Sequence, residues 1–187
     1  AADHFRLHAR CLGDALEGSI RAVSMIKWPG KIEPRASNEM VSIHDFFRTL
    51  ASFIGGQIPK DRPMDGVDQS AFFTGKQANS NRESLLTFIG DDRAAVRWRQ
   101  YRLYPKQFVS SAGNPAMQGV NGYRAEGNGY PSIFNNERDQ REEVNIRADS
   151  GWVLAEYFKL IGEYQRSLAK LPNPKAVNMT QFGRASP

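Results

Sequence analysis

The sequence predicts an α+β protein. Alternating apolar residues between 84 and 105 are typical of an antiparallel hairpin, whereas residues 42–56 and 151–172 carry apolar side chains at helical spacing. Of 187 residues, 40% are apolar and 24% charged, which excludes wholesale disorder. No apolar run approaches the roughly 18 residues of a membrane span, so no membrane partner is expected.

The first half of the chain predicts one strand and one helix. Residues 20–28 have the apolar content of a strand and end at Pro29-Gly30. Residues 42–56 fit an amphipathic helix, with Ser42 as the N-cap and Gly55-Gly56 as the C-terminal stop.

The predicted hairpin pairs residues 84–90 with residues 94–105 across a turn at Asp91-Asp92. In its second strand, Arg97 and Arg99 alternate with apolar neighbours, which places these arginines on a solvated face of the sheet.

The second half predicts a long loop and then a helix. Residues 110–130 contain five Gly and three Asn without a period, which indicates an irregular loop. Residues 151–172 predict the longest helix, ended by Pro172, and one stripe carries its apolar side chains: Val153, Tyr157, Leu160, Ile161, Tyr164 and Leu168.

Metal and nucleophile signals are weak. Cys11 is the one cysteine and has no base partner that the sequence can place near it. His4 and His8 are four residues apart, but a zinc site needs three or four ligands, and His44 is the only other histidine. We therefore predict no metal ligand and no catalytic residue in this chain.

Charged residues surround the Gly-Ser pair before the predicted strand. A guanidinium from Arg10 or Arg21 could clamp an anion there while Glu17 orients it. The alternative is an internal ion pair that fixes the loop, and the sequence does not choose between the two.

Five segments together resemble sulfatases. Residues 17–32, EGSIRAVSMIKWPGKI, resemble the family segment in which Glu-Gly-Gly/Ser-x-Arg leads into a core strand that ends in Arg/Lys-Trp-Pro-Gly. Residues 41–56 are similar to the family helix that follows, with Asp45 and Thr49 at matching positions. Arg48 stands where the family commonly has Pro.

The remaining segments follow in the family's order. Residues 65–104 are similar to the Asp-Gly loop, the Arg-Glu-Ser turn and the hairpin that contains Val-Arg/Lys-Trp. Residues 132–146 resemble a late family segment, with Gln140 in place of the usual Pro, and the terminal helix completes the set. The resemblance covers about residues 10 to 172.

The resemblance implies a C-terminal portion of an arylsulfatase-type enzyme. Residues 1–80 would be the remnant of a truncated large α/β domain, contributing its last strand and helix. Residues 81–187 would be the C-terminal subdomain, a small antiparallel sheet packed on the long final helix. The expected partner is the missing N-terminal catalytic domain or a second copy of the chain.

The family's chemistry, as the resemblance implies it, uses a formylglycine made within Cys/Ser-x-Pro-x-Arg and a bound calcium ion. Cys11 is followed by Leu-Gly-Asp-Ala, so the motif is absent here, and no Asp cluster resembles the metal site. Both cofactors are expected only in the complete enzyme. Whether this chain is itself an enzyme stays open, and we expect it to be inactive alone.

The resemblance leaves one candidate contact with a sulfate ester substrate. Arg10 occupies a position near the one where family members place a sulfate-binding cation, and Glu17 and Arg21 would orient its loop. Residues 106–130 would border the substrate cleft. The parent enzyme's compartment, periplasmic or extracellular, stays open.

The net charge of +5 supports one alternative function. A non-catalytic module could bind a sulfated glycan or nucleic acid through its arginines. The charge is moderate and spread along the chain, so by itself it does not choose among partners, but the alternation of Arg97 and Arg99 with apolar residues favours a solvated sheet face over a nucleic-acid groove.

Overall fold

The computed structural model describes residues 15–61, 63–90, 92–110 and 123–172. The chain divides into two compact units, and the division falls in the sequence between Gly151 and Trp152. The first unit contains three short helices followed by four strands: α1 (Glu17–Ile20), α2 (Asp45–Ile54), α3 (Ser70–Phe73), β1 (Ser84–Ile89), β2 (Asp92–Trp98), β3 (Tyr101–Ser110) and β4 (Tyr123–Asn135). The second unit contains α4 (Val153–Lys170). The predicted α+β class is confirmed.

The four strands form one open antiparallel sheet in the order β1-β2-β3-β4. Val96 lies opposite Leu86 on one side and Leu103 on the other, and Leu103 in turn lies opposite Ile133. Because side chains alternate between faces, these four residues share one face of the sheet. The residues beside them, including Arg97, belong to the opposite face.

The sheet carries the main core. Its buried cluster is formed by Ala15, Ile89, Ala94, Ala95 and Tyr104. The rings of Tyr104 and Phe134 pack edge to face with centroids 5.8 Å apart. Ala95 and Val96 are neighbours on β2 and so point to opposite faces, and both are buried, so both faces of β2 are covered at its centre.

The stretch predicted as one strand over residues 94–105 is two strands, and that prediction was wrong. β2 turns into β3 at Arg99-Gln100, and Trp98 lies opposite Tyr101 across the turn. Arg99 adopts a φ of 50°, which two-residue hairpin turns require and which Gly or Asn usually supplies. The guanidinium of Arg99 pairs with Glu83 at 2.9 Å and lies 5.1 Å from the Trp98 ring centroid. No sequence signal marks this turn.

The loop predicted over residues 110–130 is largely strand where the structure describes it. β3 extends to Ser110, and β4 begins at Tyr123, so residues 123–130 were predicted wrongly. The ladder pairs Lys106 with Gly127 and Ser110 with Tyr123. Backbone hydrogen bonds form this ladder. A Gly-rich sequence lacks the two-residue alternation of side chains from which a strand is predicted. Residues 111–122 lie outside the described residues.

The strand predicted over residues 20–28 is not formed. Ile20 ends α1, and residues 21–28 are assigned to neither helix nor strand. A strand needs a hydrogen-bonded neighbour. Within the described ranges, the four sheet strands pair only with one another.

Helix α2 begins later than predicted and ends as predicted. Its first residue is Asp45, so Ser42 is not the N-cap; the Ser42 amide instead donates to Asp45 Oδ2 at 2.8 Å. Gly55 adopts a left-handed φ of 65°, and the Gly56 amide donates to the Ala51 carbonyl at 2.8 Å. This is the expected glycine stop.

The long C-terminal helix is confirmed as α4, which spans 18 residues. Its packing on the sheet and the domain boundary near residue 80 stay predictions. Among the described helices, none combines the length and hydropathy needed to cross a bilayer.

Gly66 offers a direct test of how tightly the loop after α2 packs. A Cβ at Gly66 would overlap the carbonyl oxygen of His44, whereas a Cβ at Gly56 would meet the flexible Ile54 side chain at 3.4 Å. We expect Gly66→Ala to lower the free energy of unfolding by about 2–3 kcal/mol, since backbone must move. Gly56→Ala should change it by less than ~1 kcal/mol. Urea denaturation measures both, and equal effects would contradict the packing.

Candidate functional site

Glu17 is the centre of a buried charge cluster. Its side chain is 2% exposed, and each carboxylate oxygen binds a different arginine. Oε1 accepts a hydrogen bond from Arg97 Nη1 and Oε2 accepts one from Arg102 Nη1, both at 2.8 Å. α1 presents the acid, while β2 and β3 present the two arginines from directly opposite positions of the ladder.

A second acid joins the cluster from the loop after β4. Glu142 Oε2 accepts a hydrogen bond from the Glu17 amide at 3.0 Å, and its Oε1 accepts one from the Tyr104 hydroxyl at 2.7 Å. Oε1 also lies 3.5 Å from Arg102 Nε. Two carboxylates and two guanidiniums therefore balance their charges inside the unit, which is the condition for keeping buried ions in a fold.

The guanidinium of Arg102 is fully buried and makes the most contacts of the four. Besides its hydrogen bond to Glu17 and its ion pair with Glu142, it donates to the Ala15 carbonyl and, at 3.3 Å, to Thr87 Oγ1. These bonds attach the chain entering α1 to the middle of the sheet. We name Glu17, Arg97, Arg102, Tyr104 and Glu142 the Glu17 cluster.

Burial dominates the electrostatics of the cluster. It raises the pKa of Glu142 above its ordinary value, against hydrogen bonds from the Glu17 amide and Tyr104 and against the charge of Arg102. Burial likewise raises the pKa of the Tyr104 hydroxyl well above its ordinary value. Tyr104 therefore stays protonated and donates to Glu142.

Of the three predicted site residues, the structure describes Glu17 and Arg21, whose side chains bind different partners. Arg10 lies outside the described residues. The Arg21 guanidinium is exposed and donates to Asn38 Oδ1 at 3.3 Å, whereas Glu17 is engaged by Arg97 and Arg102. Glu17 thus forms an internal ion pair, but its partners are Arg97 and Arg102 of the sheet, which the sequence did not indicate. The substrate-binding role of Arg10, Glu17 and Arg21 stays a prediction.

Sequence reasoning missed the partners of Glu17. Arg97 was placed on a solvated face, and that was wrong, because α1 lies over it and leaves its side chain only 17% exposed. The available signal was Arg102, a charged residue between the apolar residues Tyr101 and Leu103. A charge in the interior of a strand predicts an opposite charge from elsewhere in the chain.

A second buried network holds the loop between α2 and the sheet. Asp45 is fully buried, and both of its oxygens accept hydrogen bonds from Arg82, with Nε at 3.0 and 2.9 Å. The amides of Val67 and Ser42 donate to the same carboxylate at 2.9 and 2.8 Å. Burial raises the pKa of Asp45, but these hydrogen bonds and the Arg82 charge outweigh it and lower the pKa overall.

Gln69 extends this network toward the β1 end of the loop. Its amide donates to Thr49 Oγ1 at 3.0 Å, and its side-chain amide donates to Ser80 Oγ at 2.8 Å. The Ser80 hydroxyl in turn donates to the Met40 carbonyl at 2.6 Å. The network is a structural clamp, because its polar atoms are paired with one another.

Neither network resembles a metal centre. In the part of the chain that the structure describes, no three His, Cys, Asp or Glu residues converge as a possible ligand group. The acids of the Glu17 cluster face guanidiniums, which occupy the positions that a cation would need.

Known proteins were compared with this chain by sequence and by structure. No family model matches. Human arylsulfatase D is 28% identical over 173 residues, which is 83% of this chain, and rat arylsulfatase G is 30% identical over 162 residues, or 82%. Mouse steryl-sulfatase is 32% identical over 111 residues, or 59% of the chain.

A solved structure agrees with these relatives. The PsFucS1 sulfatase from Pseudoalteromonas sp. superposes with a TM-score of 0.68 over 79% of this chain and 30% of its own, at 23% identity. That likeness establishes the fold. The chain is a sulfatase-type C-terminal portion. It spans 29% of arylsulfatase D, 18% of the steryl-sulfatase and 28% of arylsulfatase G, under a third of each relative.

Removing the charge at the centre of the Glu17 cluster should be costly. Glu17→Gln leaves two largely buried guanidiniums with half of their compensating charge, so we expect the free energy of unfolding to fall by about 3–5 kcal/mol. The matched control is Glu83→Gln, which breaks the exposed pair with Arg99 and should cost at most ~1 kcal/mol. Denaturation with guanidinium chloride compares the free energies of unfolding of the two variants. A small loss for Glu17→Gln would contradict a stabilising Glu17 cluster.

Asp45 should make the sulfatase portion sensitive to acid. Its pKa is lowered in the folded state, so its contribution is fully present above the unfolded value of roughly 3.9 and is lost as the pH falls through the folded pKa. We expect the free energy of unfolding to decline steeply below about pH 4. Urea denaturation at a series of pH values measures this slope. Asp45→Asn should flatten it, and an unchanged slope in that variant would contradict the assignment.

Proposed function

We propose that this sulfatase portion belongs to a sulfuric ester hydrolase of arylsulfatase type, whose substrate is a sulfate ester. The observation that carries the proposal is the match of arylsulfatases D and G to more than four fifths of the chain. The order of the five sequence segments agrees with it.

In this proposal the portion has no activity by itself. Formylglycine supplies the attacking oxygen in the family and calcium neutralises the sulfate, but the sequence has no Cys/Ser-x-Pro-x-Arg. The described residues do not fit a calcium site either, since their buried acids are engaged by arginines and backbone amides. Both groups would therefore be held by the preceding catalytic domain, the expected partner, with a second copy of the chain as the alternative partner.

The portion's own contribution is support for the substrate cleft. Residues 106–130, within which the described parts continue β3 and β4, would border the cleft and help to select the alcohol or aryl group. The Glu17 cluster supports this role, because it joins β3 at Arg102 to the chain that enters α1.

The anion-binding alternative is weaker on the described residues. Arg82, Arg97 and Arg102 are engaged in largely buried ion pairs, which removes three of the arginines that a basic surface would need. We therefore retain the hydrolase portion as the proposal.

Aryl-sulfate hydrolysis tests the proposal. The purified chain with added calcium should show no turnover above a blank, and its intact mass should show no formylglycine. A complete arylsulfatase measured in the same buffer is the positive control. Turnover by the chain alone would overturn the claim of inactivity and direct attention to Cys11 and Arg10.

A further inference from the structure

Glu142 is the acid of the Glu17 cluster that has no hydrogen-bonded cation. Its side chain is 2% exposed, and its two oxygens accept from neutral donors, the Tyr104 hydroxyl at 2.7 Å and the Glu17 amide at 3.0 Å. Arg102 Nε lies 3.5 Å away and makes no hydrogen bond. Arg97 and Arg102 each donate instead to a carboxylate oxygen of Glu17. Because burial penalises a poorly compensated anion, Glu142 is the acid of the cluster that gains most from a proton.

The Tyr104 hydroxyl has two acceptors within reach. It lies 2.7 Å from Glu142 Oε1 and 3.3 Å from the Ala15 carbonyl on the chain that enters α1. A hydroxyl carries one hydrogen and can accept as well as donate. When Glu142 is ionised, that hydrogen points to the carboxylate, which is the shorter contact. When Glu142 is neutral, its own O–H can donate to the Tyr104 oxygen while the hydroxyl hydrogen turns to Ala15.

The backbone holds Glu142 in a conformation that few glutamates adopt. Its φ is 56°, in the left-handed region that Gly or Asn usually occupies. The Glu142 amide donates to the Asp139 carbonyl at 3.3 Å, and the Val144 amide donates to Asp139 Oδ2 at 2.8 Å, which closes the turn. The turn therefore delivers the Glu142 carboxylate to the cluster at a conformational cost that a glycine would avoid.

The charged side chains around Glu142 come from the cluster and from its own loop. They are Glu17 of α1, Arg97 of β2, Arg102 of β3, and Asp139, Arg141 and Glu143 of the loop. In the loop, Arg141 and Glu143 are 40 and 62% exposed, so water screens their effect on Glu142. A neutral Glu142 leaves two guanidiniums facing one carboxylate. Arg97 is 17% exposed, and this partial hydration lowers the cost of the unbalanced charge.

We propose that Glu142 and Tyr104 form a buried proton-binding site that holds the entry of α1 on the sheet in both protonation states. Solvent supplies the proton, and an O–H bond forms at Glu142 Oε1. The Tyr104 hydroxyl then rotates from Glu142 to the Ala15 carbonyl and keeps its own hydrogen. The inference does not depend on the proposed function, because every group in it belongs to the described residues of this chain.

The site links stability to pH in the direction opposite to Asp45. Burial raises the pKa of Glu142 above its ordinary value of 4.5, so the folded chain binds this proton more tightly than the unfolded chain does. Its contribution is fully present below the unfolded pKa and is lost as the pH rises through the folded pKa. The pKa of Asp45 is lowered, and its contribution is lost as the pH falls. Both contributions are present together in the weakly acidic range.

Infrared difference spectroscopy of the 187-residue chain tests for the proton on Glu142. A neutral carboxylic acid has a carbonyl stretch that is well separated from the bands of a carboxylate. As the pH is lowered from about 8 to about 5, we expect such a band to appear with a midpoint above that of the exposed glutamates. Labelling glutamate carboxyl groups with ¹³C should shift the band. Glu142→Gln should lose it, and the matched control Glu143→Gln should keep it.

Ultraviolet resonance Raman spectroscopy tests the rotation of the Tyr104 hydroxyl. The tyrosine ring doublet differs between a hydroxyl that only donates and one that both donates and accepts. We expect the doublet of the unmodified chain to change with the same midpoint as the infrared band. Tyr104→Phe should lose this change, whereas Tyr164→Phe on α4 should keep it.

Urea denaturation at the same pH values tests the link to stability. The unmodified chain should gain urea midpoint relative to Glu142→Gln as the pH falls, and a difference that is constant with pH would overturn the inference. So would the absence of the infrared band from the unmodified chain, or its persistence in Glu142→Gln. An unchanged tyrosine doublet would overturn the hydroxyl rotation. Circular dichroism checks that each variant folds, and if one does not, the labelled band and the doublet of the unmodified chain decide.

Discussion

The buried pairing of Glu17 with Arg97 and Arg102 is the interaction on which the described first unit depends. Without it, the two arginines of β2 and β3 would be unpaired charges beneath α1, and their burial would be strongly unfavourable. With it, the short helix is fixed to the sheet although its four residues are too few to be stable alone. Glu142 and Tyr104 complete the arrangement, since they satisfy the Glu17 amide and balance the second guanidinium.

The Asp45–Arg82 network applies the same principle to the loop between α2 and the sheet. The Asp45 carboxylate at the start of α2 accepts hydrogen bonds from Arg82, Ser42 and Val67. These residues lie up to 37 positions away in the sequence. Both networks therefore connect residues before position 80 with residues after it. They differ in electrostatics, because hydrogen bonds lower the pKa of Asp45 while burial raises that of Glu142.

The first unit combines polar networks in its interior with apolar side chains on its surface. The first unit is held by ion pairs that face inward, and its helix α2 directs Phe47, Leu50 and Ile54 to the surface. Such a pattern suits a portion of a larger fold. The likeness to sulfatases of which this chain spans less than a third agrees with that reading.

The sequence by itself determined the family, the fold class, the stop of α2 at Gly55 and the long C-terminal helix, because order of motifs, periodicity and glycine chemistry are local properties. It did not determine the Arg99-Gln100 turn, whose positive φ stands at a residue that rarely adopts it. Two predictions from the sequence were wrong: a strand over residues 20–28 and a solvated position for Arg97. Only the tertiary structure decided these, since a strand depends on its neighbour and a charge depends on its partner, and Glu17 meets Arg102 across 85 positions of the chain.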